Sequence, residues 1–263
     1  MSGRDGPVEQ GGPGEWAGRR GGAARALARK LAALEEGPLR AGGAARALAA
    51  MAPAEVVEVL NGLARLADLE GRAAHAAVGQ AMVGPDAALL YDHLAEVYAR
   101  AATEELVEVT ALLVAPPAVR EYVAPRDKAD ARLSRLTLGH KKTMARTHRD
   151  PDLLARLAAE GETTVVRELL RNPLLTEPFA VRIAARRPMK PETLRLLAES
   201  RRWRTRTSVM VALVHNPFAE PGVTLKLLPA LPTSELSEVA ADGALHPLLR
   251  ATAARLATRR CEP

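Results

Sequence analysis

The sequence predicts an all-α protein, in which a disordered tail and an N-terminal helical region precede an α-solenoid of short stacked antiparallel helices. Only 3% of the 263 residues are aromatic, so the aromatic residues that favour strands are scarce, whereas the abundant Ala, Leu and Arg are good helix formers. Apolar residues recur at spacings of three and four, which places them on one side of a helix. A pattern in the second half of the chain repeats after 44 residues, a period typical of stacked helical units.

Residues 1–22 form the predicted disordered tail, because they combine Gly, Pro and charged residues with almost nothing to bury. No apolar targeting segment opens the sequence. The most apolar run, residues 111–119, is too short to span a membrane and is interrupted by Pro116-Pro117. We therefore expect a cytoplasmic protein with no membrane partner.

Residues 23–125 are predicted to form a helical region with short connections. Gly37-Pro38 and Gly42-Gly43 are expected to separate its first two helices. A stripe in the fifth segment is expected to pack against neighbouring helices; it comprises Leu89, Leu90, Leu94 and Val97, with Tyr91 and Tyr98 alongside. The six predicted helical segments span residues 23–36, 44–51, 54–70, 72–82, 85–102 and 104–114.

Residues 126–263 contain the repeat. VVRELLRNP at 165–173 and VMVALVHNP at 209–217 align without gaps, with paired apolar residues at the same positions and an Asn-Pro ending. Proline cannot continue a helix and disfavours the helical conformation in the residue before it, so Asn-Pro ends each helix. A second helix recurs as RLAAEG at 156–161, RLLAES at 195–200 and, more weakly, EVAADG at 238–243. Such short helices bury their apolar faces by stacking on neighbouring units.

The order LLARLAAEG, VVRELLRNP, MKPETLRLLAES and VMVALVHNP resembles leucine-rich repeat variant units and, more loosely, HEAT-like helical repeats, over roughly residues 140–260. The resemblance implies a curved right-handed stack of short helices that binds macromolecules, and it implies no chemistry. Some proteins of this group carry a cysteine-rich cofactor cap. The single cysteine of this chain, Cys261, excludes that cap and any disulfide within the chain.

The stretch RRWRTRT, residues 201–207, is the main candidate contact surface. Eight residues separate Ser200 from VMVALVHNP, whereas three separate Gly161 from VVRELLRNP. Insertions in repeat proteins lie in loops on one face, which is often the binding face. The sequence allows two interpretations: the arginines contact an anion, or Trp203 packs on the repeat while the arginines around it stay solvated. The candidate partner or anion contacts are Arg201, Arg202, Trp203, Arg204 and Arg206, with Arg186, Arg187 and Lys190 from the preceding connection.

The charge of the chain is uneven. Residues 1–125 hold 12 Lys and Arg against 16 Asp and Glu, and residues 126–263 hold 25 against 15. This asymmetry suits phosphate binding by the basic loops, but it equally suits docking of the acidic half onto the basic half of the same chain or of a second copy.

No catalytic constellation is recognisable. The six histidines include no HExxH motif, and the glycines form neither a GxGxxG nor a GxxxxGK loop. We therefore expect no enzymatic activity, no cofactor and no metal. The predicted function is a protein-binding scaffold, with nucleic-acid binding through the basic loops as the alternative. A third alternative is a DNA glycosylase of the HEAT-like type, to which Trp203, the arginines and Glu199 bear a loose similarity.

Overall fold

The computed structural model describes residues 13–35, 37–83, 89–124 and 130–261, with side chains from residue 22 onward. This part of the chain is all α-helical and contains no strand, as the composition predicts. Its α-helices are α1 (Pro13–Ala32), α2 (Pro38–Ala49), α3 (Pro53–Arg65), α4 (Leu69–Val83), α5 (Tyr91–Thr103), α6 (Val107–Leu113), α7 (Leu138–Thr147), α8 (Pro151–Ala159), α9 (Thr163–Leu170), α10 (Glu177–Ala185), α11 (Pro191–Glu199), α12 (Thr207–Val214), α13 (Pro221–Leu227), α14 (Thr233–Ala241) and α15 (Pro247–Cys261). Short 3₁₀ helices occur at Leu133–Arg135 and Leu228–Ala230.

The N-terminal helices differ from the prediction at two points. Helix α1 begins at Pro13, so part of the expected tail is helical, while residues 1–12 lie outside the described residues. Helix α2 continues through Gly42 and Gly43, which were expected to interrupt it. A Cβ atom on Gly43 would lie 2.6 Å from a methyl carbon of Leu34. The glycine is therefore explained by close packing of α2 against the end of α1 rather than by a turn.

Asn172 and Asn216 end α9 and α12 with the same set of contacts. The amide of Asn172 donates hydrogen bonds to the carbonyls of Ala145 and His148, both at 3.0 Å. These bonds supply donors to backbone carbonyls at the end of α7. The amide of Asn216 donates to Ala184 and Arg186 at 2.7 and 2.9 Å, at the end of α10. Each Asn carbonyl oxygen also accepts the N–H two residues ahead, that of Leu174 or Phe218. The repeat in the sequence thus corresponds to a recurring structural contact.

The helices on the two sides of the 114–132 connection share a core. One continuous cluster of buried residues joins Ala64, Val83 and Ala111 of the N-terminal region to the apolar faces of α7–α15. Helix α4 approaches α13 so closely that a Cβ atom on Gly79 would lie 2.0 Å from the carbonyl oxygen of Lys226. The two regions therefore pack as neighbours through α4, α6, α13 and α15.

Helix α15 adds polar contacts to this junction. The guanidinium of Arg259 lies 2.7 Å from the carboxylate of Glu108 and donates to Asn61 at 2.7 Å. Arg260 donates to the carbonyls of Leu231 and Pro229, both at 2.7 Å. Within the described ranges, no helix combines the length and the apolar character needed to cross a membrane.

Candidate functional site

The inserted stretch lies in a turn between α11 and α12, and part of it has a structural role. Trp203 is buried, with 2% of its surface exposed, and belongs to the apolar core. Arg202 stacks on the Trp203 ring, 4.4 Å from its centroid. The same guanidinium donates to the carbonyls of Asn172 at 2.9 Å and Leu175 at 2.6 Å. Arg202 and Trp203 therefore hold the insertion onto the turn that follows α9.

The other three arginines of the stretch are in different environments. The guanidinium of Arg206 lies 3.7 Å from the carboxylate of Glu177. Arg204 is half-buried, and its Nε has no hydrogen-bond acceptor in the described part of the chain. Burial, and then repulsion from Arg201, lower the pKa of Arg204. Only Arg201 of the five candidate contacts is both exposed and without a described ion-pair or hydrogen-bond partner.

The candidates before α11 are also largely engaged. Arg187 donates to the carbonyl of His215, and the ammonium of Lys190 lies 3.1 Å from the carboxylate of Glu162. Arg186 is exposed, and its carbonyl accepts the amide of Asn216. These residues thus connect neighbouring helical units to one another.

Carboxylates interrupt the basic surface where the loops meet. Lys141 pairs with Glu160 at 2.8 Å, beside the pair formed by Lys190 and Glu162. All four residues line one groove of about 610 Å³, together with Arg186. The 186–190 connection therefore shares a groove with Lys141, and the charges along this groove alternate in sign.

An apolar groove lies between α5 and the helices α4, α6 and α13. Helix α5 buries Val97 and Ala101 against its neighbours, whereas the adjacent side of the helix contributes Tyr91, Leu94 and Tyr98 to a groove of about 480 Å³. Tyr91 is 84% exposed and Tyr98 is 42% exposed. Residues of α4, α6 and α13 complete the groove: Ala81, Met82, Leu112, Leu113 and Lys226, with Leu89, Ala95 and Val114.

This groove corrects the expectation that the whole stripe of α5 is packed. Val97 is fully buried and Leu94 is half-buried, but Leu90 is 69% exposed at the start of the helix. The apolar stripe of α5 is wider than the part that packs on the core, so the rest of the stripe remains open. The additional apolar side of α5 could have been recognised in the sequence, since Tyr91 and Tyr98 lie two turns apart beside the buried positions.

Lys226 is the charged residue of the groove. Burial lowers the pKa of its ammonium, and Arg195 lowers it further while Glu220 opposes them. Glu220 is paired with Arg195 at 3.3 Å. No carboxylate of the described residues lies within ion-pair distance of Lys226. The groove thus combines apolar walls with one ammonium that forms no ion pair with a described residue.

A histidine and two glutamates approach one another between the end of α12 and α14. The ligand atoms of His215, Glu235 and Glu238 lie within 4.8 Å of one another. However, Nδ1 of His215 lies 3.3 Å from the Asp242 carboxylate, and Glu238 is exposed. The nearby Arg187 adds positive charge that opposes a cation. We interpret this group as an ionic contact between the turns that follow α12 and α14.

Comparison with known proteins gives no relationship: no protein family, no curated protein and no solved structure matches this chain.

Proposed function

We propose that this protein is a non-enzymatic scaffold that binds another protein through the groove of α5, and that its C-terminal helices stack as an α-solenoid. The observation that carries the proposal is the second apolar side of α5, which remains open beside an unpaired lysine. The proposed partner is a short amphipathic helix that places apolar side chains in the groove and a carboxylate near Lys226.

The shape of the groove favours a helical segment of a protein. Sites for small molecules usually enclose most of their ligand, whereas the exposed Leu90 and Tyr91 extend the apolar surface beyond this groove. Peptides also bind by adding a strand to an open sheet edge, but the described residues form no sheet. An amphipathic helix in an apolar groove is a common mode of peptide recognition, and it suits walls that are themselves formed by helices.

The charge of Lys226 favours an acidic residue in that helix. A partly buried ammonium loses hydration, and a carboxylate at hydrogen-bonding distance would replace the lost water. The contact would fix the register of the partner in the groove, while the apolar side chains would supply most of the affinity.

Nucleic-acid binding through the basic loops is the alternative function, and it has less support. Arg202, Arg187 and Lys190 make contacts within the chain, and Trp203 is buried away from any base. Alternating charges along the edge of the loops also weaken the attraction to a phosphate backbone. Arg201 and Arg186 are the exposed arginines that this alternative would use.

A displayed library of helical peptides tests the proposal. Peptides are selected on the unmodified protein and then measured against an Ala95→Glu variant, which places a carboxylate in the groove from an exposed position of α5. We expect acidic amphipathic sequences whose affinity falls by at least about tenfold in this variant. The matched control is Ala99→Glu, which is exposed on the same helix and does not line the groove.

A Lys226→Met variant tests the charge separately, because it keeps the bulk of the side chain. Selected peptides should lose affinity for this variant and should lose their preference for an acidic residue. The proposal fails if selection yields no binders, if Ala95→Glu and Ala99→Glu behave alike, or if the binders depend on Arg201 and Arg186 instead.

A further inference from the structure

Lys226 is the one residue of α13 that is not buried. The other six residues of Pro221–Leu227 are all buried, whereas the side chain of Lys226 is half-buried and lines the groove of α5. Its backbone has little room to move, because α4 packs at Gly79 directly against the Lys226 carbonyl oxygen. Helix α13 therefore holds the base of this side chain at a fixed place in the wall of the groove.

The groove offers the Lys226 ammonium no counter-charge. Its other lining residues are alanines, larger apolar side chains and two tyrosines, and none of these described residues carries a carboxylate. Glu220 lies close enough to act on Lys226, but its carboxylate is paired with Arg195 at 3.3 Å. The ammonium therefore loses hydration on burial without gaining an ion pair in return.

These surroundings favour the uncharged amine. Burial lowers the pKa of Lys226, the charge of Arg195 lowers it further, and Glu220 opposes both. A lysine is a nucleophile only as the uncharged amine, and proteins activate it by desolvation in an apolar pocket or by a neighbouring cation. Lys226 has both conditions, in a groove that is open to solvent beside the exposed Tyr91.

Three other lysines of the chain differ from Lys226 in this respect. Lys141 and Lys190 pair with glutamates at 2.8 and 3.1 Å, and an ion pair favours the ammonium form. Lys30 is exposed on α1, so its charge is hydrated. These lysines provide references for reactivity within the same molecule.

We propose that Lys226 is a site of acylation by a small acyl thioester, and that the acyl group then occupies the groove of α5. The nitrogen of the uncharged amine attacks the thioester carbonyl carbon, the C–S bond breaks, and the thiolate leaves while the nitrogen gives up a proton to water. The product is an amide, and nothing is oxidised or reduced. A thioester suits this site because its acyl end is uncharged and apolar, like the walls of the groove.

Acylation would regulate the protein binding proposed above, and this consequence rests on the proposed function. The amide carries no charge, so the carboxylate of the partner helix would lose its cation. The acyl chain would also fill space that the apolar side chains of the partner need. The acylated protein should therefore lose affinity for an acidic amphipathic helix.

Initial rates of acylation at each lysine test the proposal. The full chain is incubated near neutral pH with the butanoyl thioester of N-acetylcysteamine, and mass spectrometry of the digested protein follows each lysine separately. We expect Lys226 to react at least about fivefold faster than Lys30. Lys226 should also prefer the butanoyl over the acetyl thioester more strongly than Lys30 does, because the groove contacts the longer chain. Reaction at Lys226 that is no faster than at Lys30 would overturn the proposal.

Two variants of α5 separate an effect of the groove from general reactivity. Ala95→Glu places a carboxylate in the groove, which favours the ammonium form of Lys226 and obstructs the acyl chain, so acylation should slow several-fold. Ala99→Glu is the matched control, because it is exposed on the same helix outside the groove, and it should leave the rate unchanged. Equal rates at Lys226 in the two variants would contradict the assignment of the site.

The acylation site and the proposed function can fail independently. The rates are measured without any peptide, so fast reaction at Lys226 together with a failed peptide selection would support the site and remove the proposed function. Selected peptides that bind, together with slow reaction at Lys226, would do the reverse. Peptides that bind the butanoylated and the unmodified protein equally well would overturn the regulatory effect.

Discussion

At the scale of single residues, Asn172 and Asn216 explain why the Asn-Pro pattern recurs. The buried amide of Asn172 donates to two carbonyls at the end of α7, and that of Asn216 donates to two carbonyls at the end of α10. Each amide oxygen also accepts an N–H of the turn that follows. Asparagine provides two donors and one acceptor in a single short side chain. Aspartate would lose the two donors, so the residue type is set by the geometry of the turn.

Replacing Asn172 by alanine should destabilise the protein by about 3 kcal/mol, because it leaves two carbonyls at the end of α7 without donors in a buried site. Chemical unfolding followed by circular dichroism measures the difference. Arg171→Ala is the control: this neighbour makes an exposed pair with Glu168 and should change stability by about 0.5 kcal/mol or less. Similar losses in the two variants would refute the role assigned to Asn172.

The Asn-Pro ends were predictable from the sequence, but the partners of the asparagines were not. Proline identifies a helix end through local geometry alone. The contacts of Asn172 with Ala145 and His148 join residues 27 and 24 positions apart, and no local pattern encodes them. The contacts of Arg202 were equally unpredictable. The sequence shows only that Arg202 lies in a charged loop, whereas the carbonyls to which it donates are identified by the structure.

At the scale of helices, small residues decide how closely neighbours approach. The segment of α4 around Gly79 is rich in Ala and Gly, and it faces the backbone of α13. A larger side chain would separate the two helices and disturb the groove, since Lys226 belongs to the same stretch of α13. Gly43 has the corresponding role between α2 and α1.

Gly79→Ala should therefore destabilise the protein by about 3 kcal/mol or more, because the new methyl group would overlap the Lys226 carbonyl oxygen. Thermal unfolding provides the measurement. In Gly139→Ala, on α7, the new methyl group would lie 3.9 Å from the Thr137 hydroxyl oxygen, an ordinary contact distance, and the change should be neutral or stabilising by up to about 1 kcal/mol. A stable Gly79→Ala variant would show that α4 and α13 are not in close contact.

At the scale of the whole molecule, the two regions of opposite charge lie against one another. The sequence suggested that the acidic half could dock onto the basic half. The contacts that join them run mainly through α15 and apolar helices, with Arg259 and Glu108 as a buried ion pair. The inserted loop adds a hydrogen bond from the Gln80 amide to the Arg204 carbonyl, but no ion pair of the described residues joins a basic loop to the acidic half. Net charge indicates that the two regions could attract each other. It does not show where they pack, because the apolar surfaces that fix their relative position belong to helices far apart in the sequence.

His75, at this junction, makes the stability of the protein depend on pH. It is fully buried on α4, and burial, followed by the charge of Arg260, lowers its pKa to about 3. In the unfolded chain the imidazole takes up a proton near pH 6.5. Because the unfolded state binds this proton first, the stability contributed by neutral His75 is complete above pH 6.5 and is lost as the pH falls from 6.5 towards 3.

A His75→Leu variant should remove this dependence. Between pH 7.5 and pH 5 the unmodified protein should lose about 2 kcal/mol more of its unfolding free energy than the variant does. Urea unfolding at the two pH values gives both free energies, and the values at pH 7.5 serve as the internal reference. Equal losses in the two proteins would mean that His75 reaches solvent or a partner in the folded state.

The central claim is that the open side of α5 binds a protein, and the most direct test is a pair of fluorescence anisotropy titrations at about 50 and 200 mM salt. One uses a selected acidic amphipathic peptide and the other a single-stranded oligonucleotide. We expect the peptide to bind with an affinity that changes little with salt and is lost in Ala95→Glu, because apolar contacts dominate. We expect no comparable binding of the oligonucleotide. Oligonucleotide binding that weakens steeply with salt and falls in an Arg201/Arg186→Ala variant, with no binding of the peptide, would contradict it.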